Sequence, residues 1–304
     1  MTPKRVIVLT GPTASGKSAV AMQLAGMTGG EILCMDSMQV YRGLDIGTAK
    51  PTAAEREKVK HHLLDLCEPE ESFSVSDYVE RCEPLLFSVE VPILVGGTGL
   101  YLDGLMYKKT FGGAGADEEL RAMYHRFADE YGNDALFERL RTRDPLAAAK
   151  LHPNDVRRVI RALEVIETTG RSITETREKQ KREDLDFCLY AVSMPRETLY
   201  RRIDERVDAM MAMGLAEEVR ALFDRGISRD AQAIQGLGYK ELYACFRGET
   251  TLEEAVSLIK LRTRHYAKRQ LTWFRHMEGV RWLEADDAKK NVGKILEENK
   301  TNAT

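Results

Sequence analysis

Residues 11–18 read GPTASGKS, directly after the apolar run VIVLT at 6–10. The octet fits G-x-x-x-x-G-K-[ST], and its context is a buried strand, then the loop, then the helical stretch KSAVAMQLAG at 17–26. Small residues let such a loop wrap a phosphate group, with backbone N–H groups converging on its oxygens. The positive end of the following helix adds to the attraction. Gly11, Pro12, Thr13, Ala14, Ser15, Gly16, Lys17 and Ser18 are therefore the expected phosphate cradle. Lys17 reaches the outer phosphate in this reading, and Ser18 ligates Mg²⁺. The octet leaves open which phosphate compound is held and what reaction follows.

Outward from the loop, short apolar runs alternate with helical patterns. EILCMD (31–36) predicts a second strand ending in an acid, and VPILVGGTGLYL (91–102) a third strand, a glycine turn and a helix start. This alternation predicts an α/β fold, a P-loop NTPase-like parallel sheet flanked by helices. From FGGAGADEEL (111–120), a glycine-rich hinge, to about 185 the pattern is helical, with candidate helices at 117–130, 133–141, 145–150 and 154–168. FCLYAVSM (187–194) then returns to strand character. The expected organisation is a catalytic core of residues 1–112 and 186–304, with a helical C-terminal part, interrupted by an all-helical domain at 113–185.

The chain has 304 residues, 43% hydrophobic and 31% charged, enough for a well-buried core. Its net charge of −3 signals no polyanionic partner by itself, but KLRTRHYAKRQLTWFRH (260–276) holds six Lys or Arg and no acid. The five cysteines are scattered without a C-x-x-C pair, which argues against a disulfide framework or a zinc site. VIVLT is too short for a signal core or a membrane span, so a cytoplasmic protein is expected.

DSMQVYRGLDIGTAKP (36–51) follows the second strand. Asp36 at the strand end fits a water-mediated metal ligand or a general base. Ser37 and Gln39 offer hydrogen-bonding groups suited to an adenine edge, and Tyr41 a stacking face. With GPTASGKS, HHLLD (61–65), VGGTGLYL (95–102), HPNDVRRVIRALEV (152–165), AIQGLGYKEL (233–242) and KLRTRHYAKRQLTWFR (260–275), the chain resembles the tRNA dimethylallyltransferases, or tRNA isopentenyltransferases, over nearly its whole length. Seven ordered motifs are far more specific than the P-loop alone.

The resemblance implies transfer of a dimethylallyl group from dimethylallyl diphosphate to the exocyclic amine of the adenine 3′ of the anticodon. Diphosphate is released, and the chain looks like the short bacterial form without a zinc finger. The family pattern makes Asp36 the general base and adds Thr13 and an arginine, matched here by Arg206 in RRIDERVDAMM (201–211), as diphosphate ligands. Asp36, Ser37, Met38, Gln39 and Thr98 are the expected contacts to the acceptor nucleotide. Arg157, Arg158 and Arg161 are expected on the anticodon stem-loop, unless they pair with Asp155 and Glu164. Lys260, Arg264 and Lys268 recur every four residues and predict one basic helix face for RNA phosphates, with Tyr266, Trp273 and Phe274 interleaved. A monomer is expected. An ATP-dependent kinase, a prenyltransferase acting on free adenylate and a non-enzymatic RNA-binding protein are the competing readings.

Overall fold

The computed structural model describes residues 2–108, 117–175, 180–285 and 287–301. The glycine-rich hinge expected near 112 lies outside them. By contacts the chain divides into two compact units, residues 1–105 with 183–304, and residues 106–182.

In chain order the first unit opens with β1 (Lys4–Thr10), α1 (Lys17–Thr28), β2 (Glu31–Met35), α2 (Ala53–Lys58), β3 (His61–His62), α3 (Val75–Ser88), β4 (Pro92–Gly96) and α4 (Gly99–Met106). The second unit comprises β5 (Tyr107–Lys108), α5 (Glu118–Tyr131), α6 (Asn133–Arg143), α7 (Pro145–Ala148), α8 (Val156–Thr169) and β6 (Gln180–Lys181). The chain then returns to the first unit through β7 (Leu185–Ser193), α9 (Arg196–Ala212), α10 (Leu215–Asp224), α11 (Tyr239–Phe246), α12 (Leu252–Arg275), β8 (Arg281–Glu284) and α13 (Ala288–Thr301).

The first unit is built on a six-stranded sheet in the order β3-β2-β4-β1-β7-β8, every neighbouring pair parallel. Ile7 stands opposite Ile93 of β4 and Cys188 of β7. Such strands are buried on both faces and so read as continuous apolar runs. Ile7, Leu9, Ile32 and Val95 pack with Val20 and Leu24 of α1 and with Val292 and Ile295 of α13. Behind β2, the Tyr78 ring of α3 stacks on Tyr101 of α4 at 4.0 Å, and the Tyr78 hydroxyl donates to the Cys34 carbonyl at 3.1 Å. The order of strands places the C-terminal ends of β1, β2 and β4 side by side, where parallel α/β sheets hold their ligands.

The second unit has its own core, in which Tyr124, Leu136, Leu140, Val159, Ile160 and Leu163 are buried together. It is not wholly helical. An antiparallel ribbon pairs Tyr107 with Lys181, so the compact unit starts at 106 rather than at the glycine-rich stretch. Pairing across 74 positions in sequence, by two residues per strand, leaves no periodicity to read.

Candidate active site

The phosphate loop takes its shape from three residues in the left-handed region: Gly11 (φ +133°), Ala14 (φ +62°) and Gly16 (φ +88°). A Cβ on Gly11 would stand 2.5 Å from the Val192 carbonyl oxygen, so only glycine fits there. Gly16 is the N-cap of α1 and supplies no side-chain cap, which leaves the first-turn donors open to an anion. The Ser15 hydroxyl is buried in the loop without a partner among the described residues, and the exposed Ser18 side chain stands on the first turn of α1. Lys17 folds back so that its Nζ donates to the Pro12 carbonyl at 3.3 Å. Burial and then the positive charge of Arg206 push the Lys17 ammonium down to about 8, while the negative charge of Asp36 opposes them. Burial likewise lowers the Arg206 guanidinium, against the favourable charge of Asp36. Groups that shift one another in this way occupy one site. Two cations short of counter-charge are poised for a polyanion.

Asp36 ends β2. Its Oδ1 accepts from the N–H groups of Met38 at 2.8 Å and Gln39 at 3.3 Å, which ties down the loop and leaves Oδ2 as the open oxygen. The Thr98 hydroxyl, in the loop after β4, accepts from the Ser37 N–H at 3.2 Å. From α12 Tyr266 faces the same site: burial and then the charge of Asp36 push its phenol upward. Tyr101 is raised by the same two causes in the same order. Asp36 therefore lies between the cations of the phosphate loop and a wall of aromatic side chains.

This arrangement has relatives. A family model described as IPP transferase matches residues 39–277, and one described as isopentenyl transferase matches residues 4–72. The chain belongs to the IPP transferase family. The tRNA dimethylallyltransferase of Geobacillus kaustophilus is 46% identical over 97% of this chain and 95% of its own. That of Bacillus subtilis is 46% identical over 93% and 91%. The crystal structure of a tRNA isopentenylpyrophosphate transferase from Bacillus halodurans superposes with a TM-score of 0.72, at 42% identity, covering 99% of this chain and 100% of that one. A eukaryotic dimethylallyltransferase acting on tRNA gives a TM-score of 0.79 at 31% identity, over 93% and 74%. These IPP transferase structures carry the P-loop NTPase-like fold expected from the sequence.

Several expectations need correction against this member of the IPP transferase family. Tyr41 is fully buried and offers no face for a base. The Gln39 amide donates to the carbonyls of Thr48 and Ala49 at 3.0 and 3.2 Å, so only its oxygen stays available. Arg206 is not among them: the acids beside it are taken by other arginines, Asp204 by Arg264 and Glu205 by Arg201. That pairing also takes part of the basic face of α12, although Lys268 stays exposed. Arg264 makes a two-pronged contact with Asp204 at 2.9 and 2.8 Å, and Lys260 lies 2.6 Å from Asp208 of α9, so both cations hold helix to helix. Phe274 is core, whereas Trp273 is exposed. In the second unit Arg158 pairs with Asp155 at 3.1 Å and Arg161 with buried Glu164 at 2.6 Å. Arg157 is exposed and makes no ion pair among the described residues.

Sequence reasoning also missed the supports of the 36–51 loop. The Glu218 carboxylate of α10 accepts from the N–H groups of Asp45, Ile46 and Gly47 at 2.9, 2.7 and 3.1 Å and from the Tyr239 hydroxyl at 2.7 Å. Buried Lys50 reaches Asp45 at 2.5 Å, Asp65 at 2.7 Å and the Tyr41 carbonyl at 2.8 Å. An acid three residues before a polar turn would be a readable signal. An acid on a helix far downstream is not.

Proposed function

We propose that the chain transfers a dimethylallyl group from dimethylallyl diphosphate to the exocyclic amine of the adenine immediately 3′ of the anticodon in tRNA. The observation that carries this reading is the meeting of Lys17, Arg206 and Asp36 at the ends of β1 and β2. An ATP-dependent kinase would use the cations and the acid too, so it is the matching IPP transferase relatives that favour prenyl transfer over it.

The amine nitrogen attacks the allylic carbon as the carbon–oxygen bond breaks and its electron pair leaves with the diphosphate. The amine is a weak nucleophile because its lone pair is delocalised into the ring. Asp36 Oδ2 takes the proton as the new bond forms. Oδ1, anchored by Met38 and Gln39, fixes the direction of that oxygen. Lys17, Arg206, Thr13 and the loop N–H groups stabilise the charge that gathers on the departing diphosphate. Ser37, Met38, Gln39 and Thr98 place the acceptor base, and the IPP transferase relatives named for tRNA support an RNA-borne one. Within the second unit, read as the tRNA-contacting domain, Arg157 is the best placed of Arg157, Arg158 and Arg161 to meet phosphate.

The donor set suits Mg²⁺ riding on the diphosphate. No group of three or more His, Cys, Asp or Glu converges among the described residues, while the Ser18 hydroxyl stands open beside the loop, and Mg²⁺ prefers few protein ligands with substrate phosphates and water. Bound there, the ion would neutralise phosphate charge. Among the described residues no helix is long and apolar enough to cross a membrane, and all five cysteines are free, which supports a cytoplasmic setting. The protein acts as a monomer in this reading, without zinc.

The test supplies bulk tRNA with dimethylallyl diphosphate carrying label in its prenyl carbons, and in parallel with γ-labelled ATP. Prenyl label entering tRNA at the adenine 3′ of the anticodon is the expected result. Transfer of the ATP label instead would overturn the reading.

A further inference from the structure

Gln270 sits on α12, is 6% exposed, and uses both ends of its amide. Its Oε1 accepts from the Thr13 N–H in the phosphate loop at 2.9 Å, and its Nε2 donates to the Gly97 carbonyl at 3.0 Å. Thr13 follows β1 and Gly97 follows β4, so one side chain spans the two loops that carry the two halves of the proposed reaction. Gly97 immediately precedes Thr98, whose hydroxyl holds the Ser37 N–H next to Asp36. The fit is tight on that side: a Cβ on Gly97 would collide with the Gln270 amide nitrogen.

We infer that Gln270 is a positioning residue that sets the phosphate loop against the loop carrying Thr98 and Asp36, and so fixes the distance between the leaving group and the acceptor amine. This deepens the proposed transfer and rests on it. In-line displacement tolerates little error, since misplacement by about 1 Å can cost about 100-fold in rate. Its amide is spent on the two loops. Its loss therefore falls on turnover more than on the binding of either substrate alone. At neutral pH an amide serves both loops where a carboxylate cannot, because the Thr13 N–H needs an acceptor and the Gly97 carbonyl needs a donor.

The discriminating substitution is Gln270→Glu. It keeps the acceptor for Thr13 but sets a carboxylate oxygen against the Gly97 carbonyl, a repulsion that protonation relieves by restoring a donor. At pH 8 the variant is expected to lose about 10- to 100-fold in kcat, with KM for dimethylallyl diphosphate and Kd for tRNA within about threefold of the parent. As pH is lowered to 6, its kcat relative to the parent should rise. Gly97→Ala should reproduce the loss from the other side, and the double variant should be less than additive. If the parent transfers prenyl label and Gln270→Glu matches it at pH 8, or loses activity equally at both pH values, the inference is overturned. If Gln270→Ala fails to fold, the pH profile of Gln270→Glu alone still decides. A parent that transfers no prenyl group overturns the proposed function instead, a separate outcome.

Discussion

The phosphate-loop lysine and the carboxylate across from it each give a test at the scale of a single side chain. Asp36→Asn keeps an oxygen for the N–H groups of Met38 and Gln39, so the loop should survive while the proton acceptor is lost. General base catalysis contributes about 10²- to 10⁴-fold, and the variant should lose at least about two decades in kcat with tRNA affinity retained. Single-turnover kinetics beside a tRNA binding curve checks this; kcat within about threefold of the parent would remove Asp36 from the role. Lys17 carries a pH signature. Burial and the Arg206 charge hold it at about 8 instead of the ordinary 10.5, so the empty site gives up this proton well before an ordinary lysine would. A bound diphosphate favours the ammonium form and raises that value, so binding takes up a proton above about pH 8. Affinity for inorganic diphosphate should then fall by up to about tenfold per pH unit above 8 and stay flatter below it. The stability effect has the opposite sense. A lysine lowered by folding weighs against the empty protein below about 8, and that penalty disappears as pH climbs towards 10.5. Titration calorimetry in buffers of different ionisation enthalpy reads the proton uptake, and Lys17→Met should abolish it.

Between elements, the contacts that hold the site are long-range and charged. Glu218 gathers three consecutive backbone N–H groups and the Tyr239 hydroxyl, which makes α10 and α11 the back wall of the 36–51 loop. Hydrogen bonds to a charged acceptor contribute about 1.5–3 kcal/mol, and orphaned donors add to the loss. Glu218→Ala should therefore cost about 2–3 kcal/mol by denaturant melting and speed amide exchange at Asp45, Ile46 and Gly47, with Glu218→Gln between it and the parent. Unchanged exchange at those three amides would show that the carboxylate does not hold them. The same contacts mark the limit of what the sequence discloses. The order of strand, loop and helix around GPTASGKS is local and periodic, and the helices of the second unit begin and end within a few residues of their expected bounds. Asp36 was legible because it ends an apolar strand. Gln270, 257 residues from Thr13, leaves no local trace, since glutamine on a helix looks the same whether it faces water or two loops. The basic run at 260–276 could be read only in part for a related reason: the acids that neutralise Lys260 and Arg264 lie 52 and 60 positions earlier, beyond any local window.

Across the whole molecule, the chain divides into two compact units, and this has a measurable consequence. The cluster of Tyr124, Leu136, Leu140, Val159, Ile160 and Leu163 lies wholly within residues 106–182. It also encloses one ionic centre. Glu164 is fully buried and accepts from Arg161 at 2.6 Å, from Arg121 at 2.9 Å and from the Asp117 N–H at 2.8 Å. A unit with its own apolar core and its own satisfied buried charge has what independent folding requires. Residues 106–182 produced alone should show a helical circular dichroism spectrum and one cooperative thermal transition. Glu164→Ala leaves both arginines without their shared partner and should cost about 3 kcal/mol, at the low end for a buried pair because both guanidinium groups keep some contact with water. In a unit of this size that lowers Tm by about 12–24 °C. Burial by itself would raise the Glu164 carboxyl, but the bonds from Arg161, Asp117 and Arg121 outweigh it and hold the group below its ordinary 4.5. Its stabilisation is thus complete above that pH and is lost as pH falls through the lowered value, so the excised unit should melt earlier in acid while Glu164→Ala shows a flatter acid dependence. A polypeptide of residues 106–182 that stays unfolded at pH 7, or a Glu164→Ala variant with the parent's Tm and acid profile, would refute the independence of this unit.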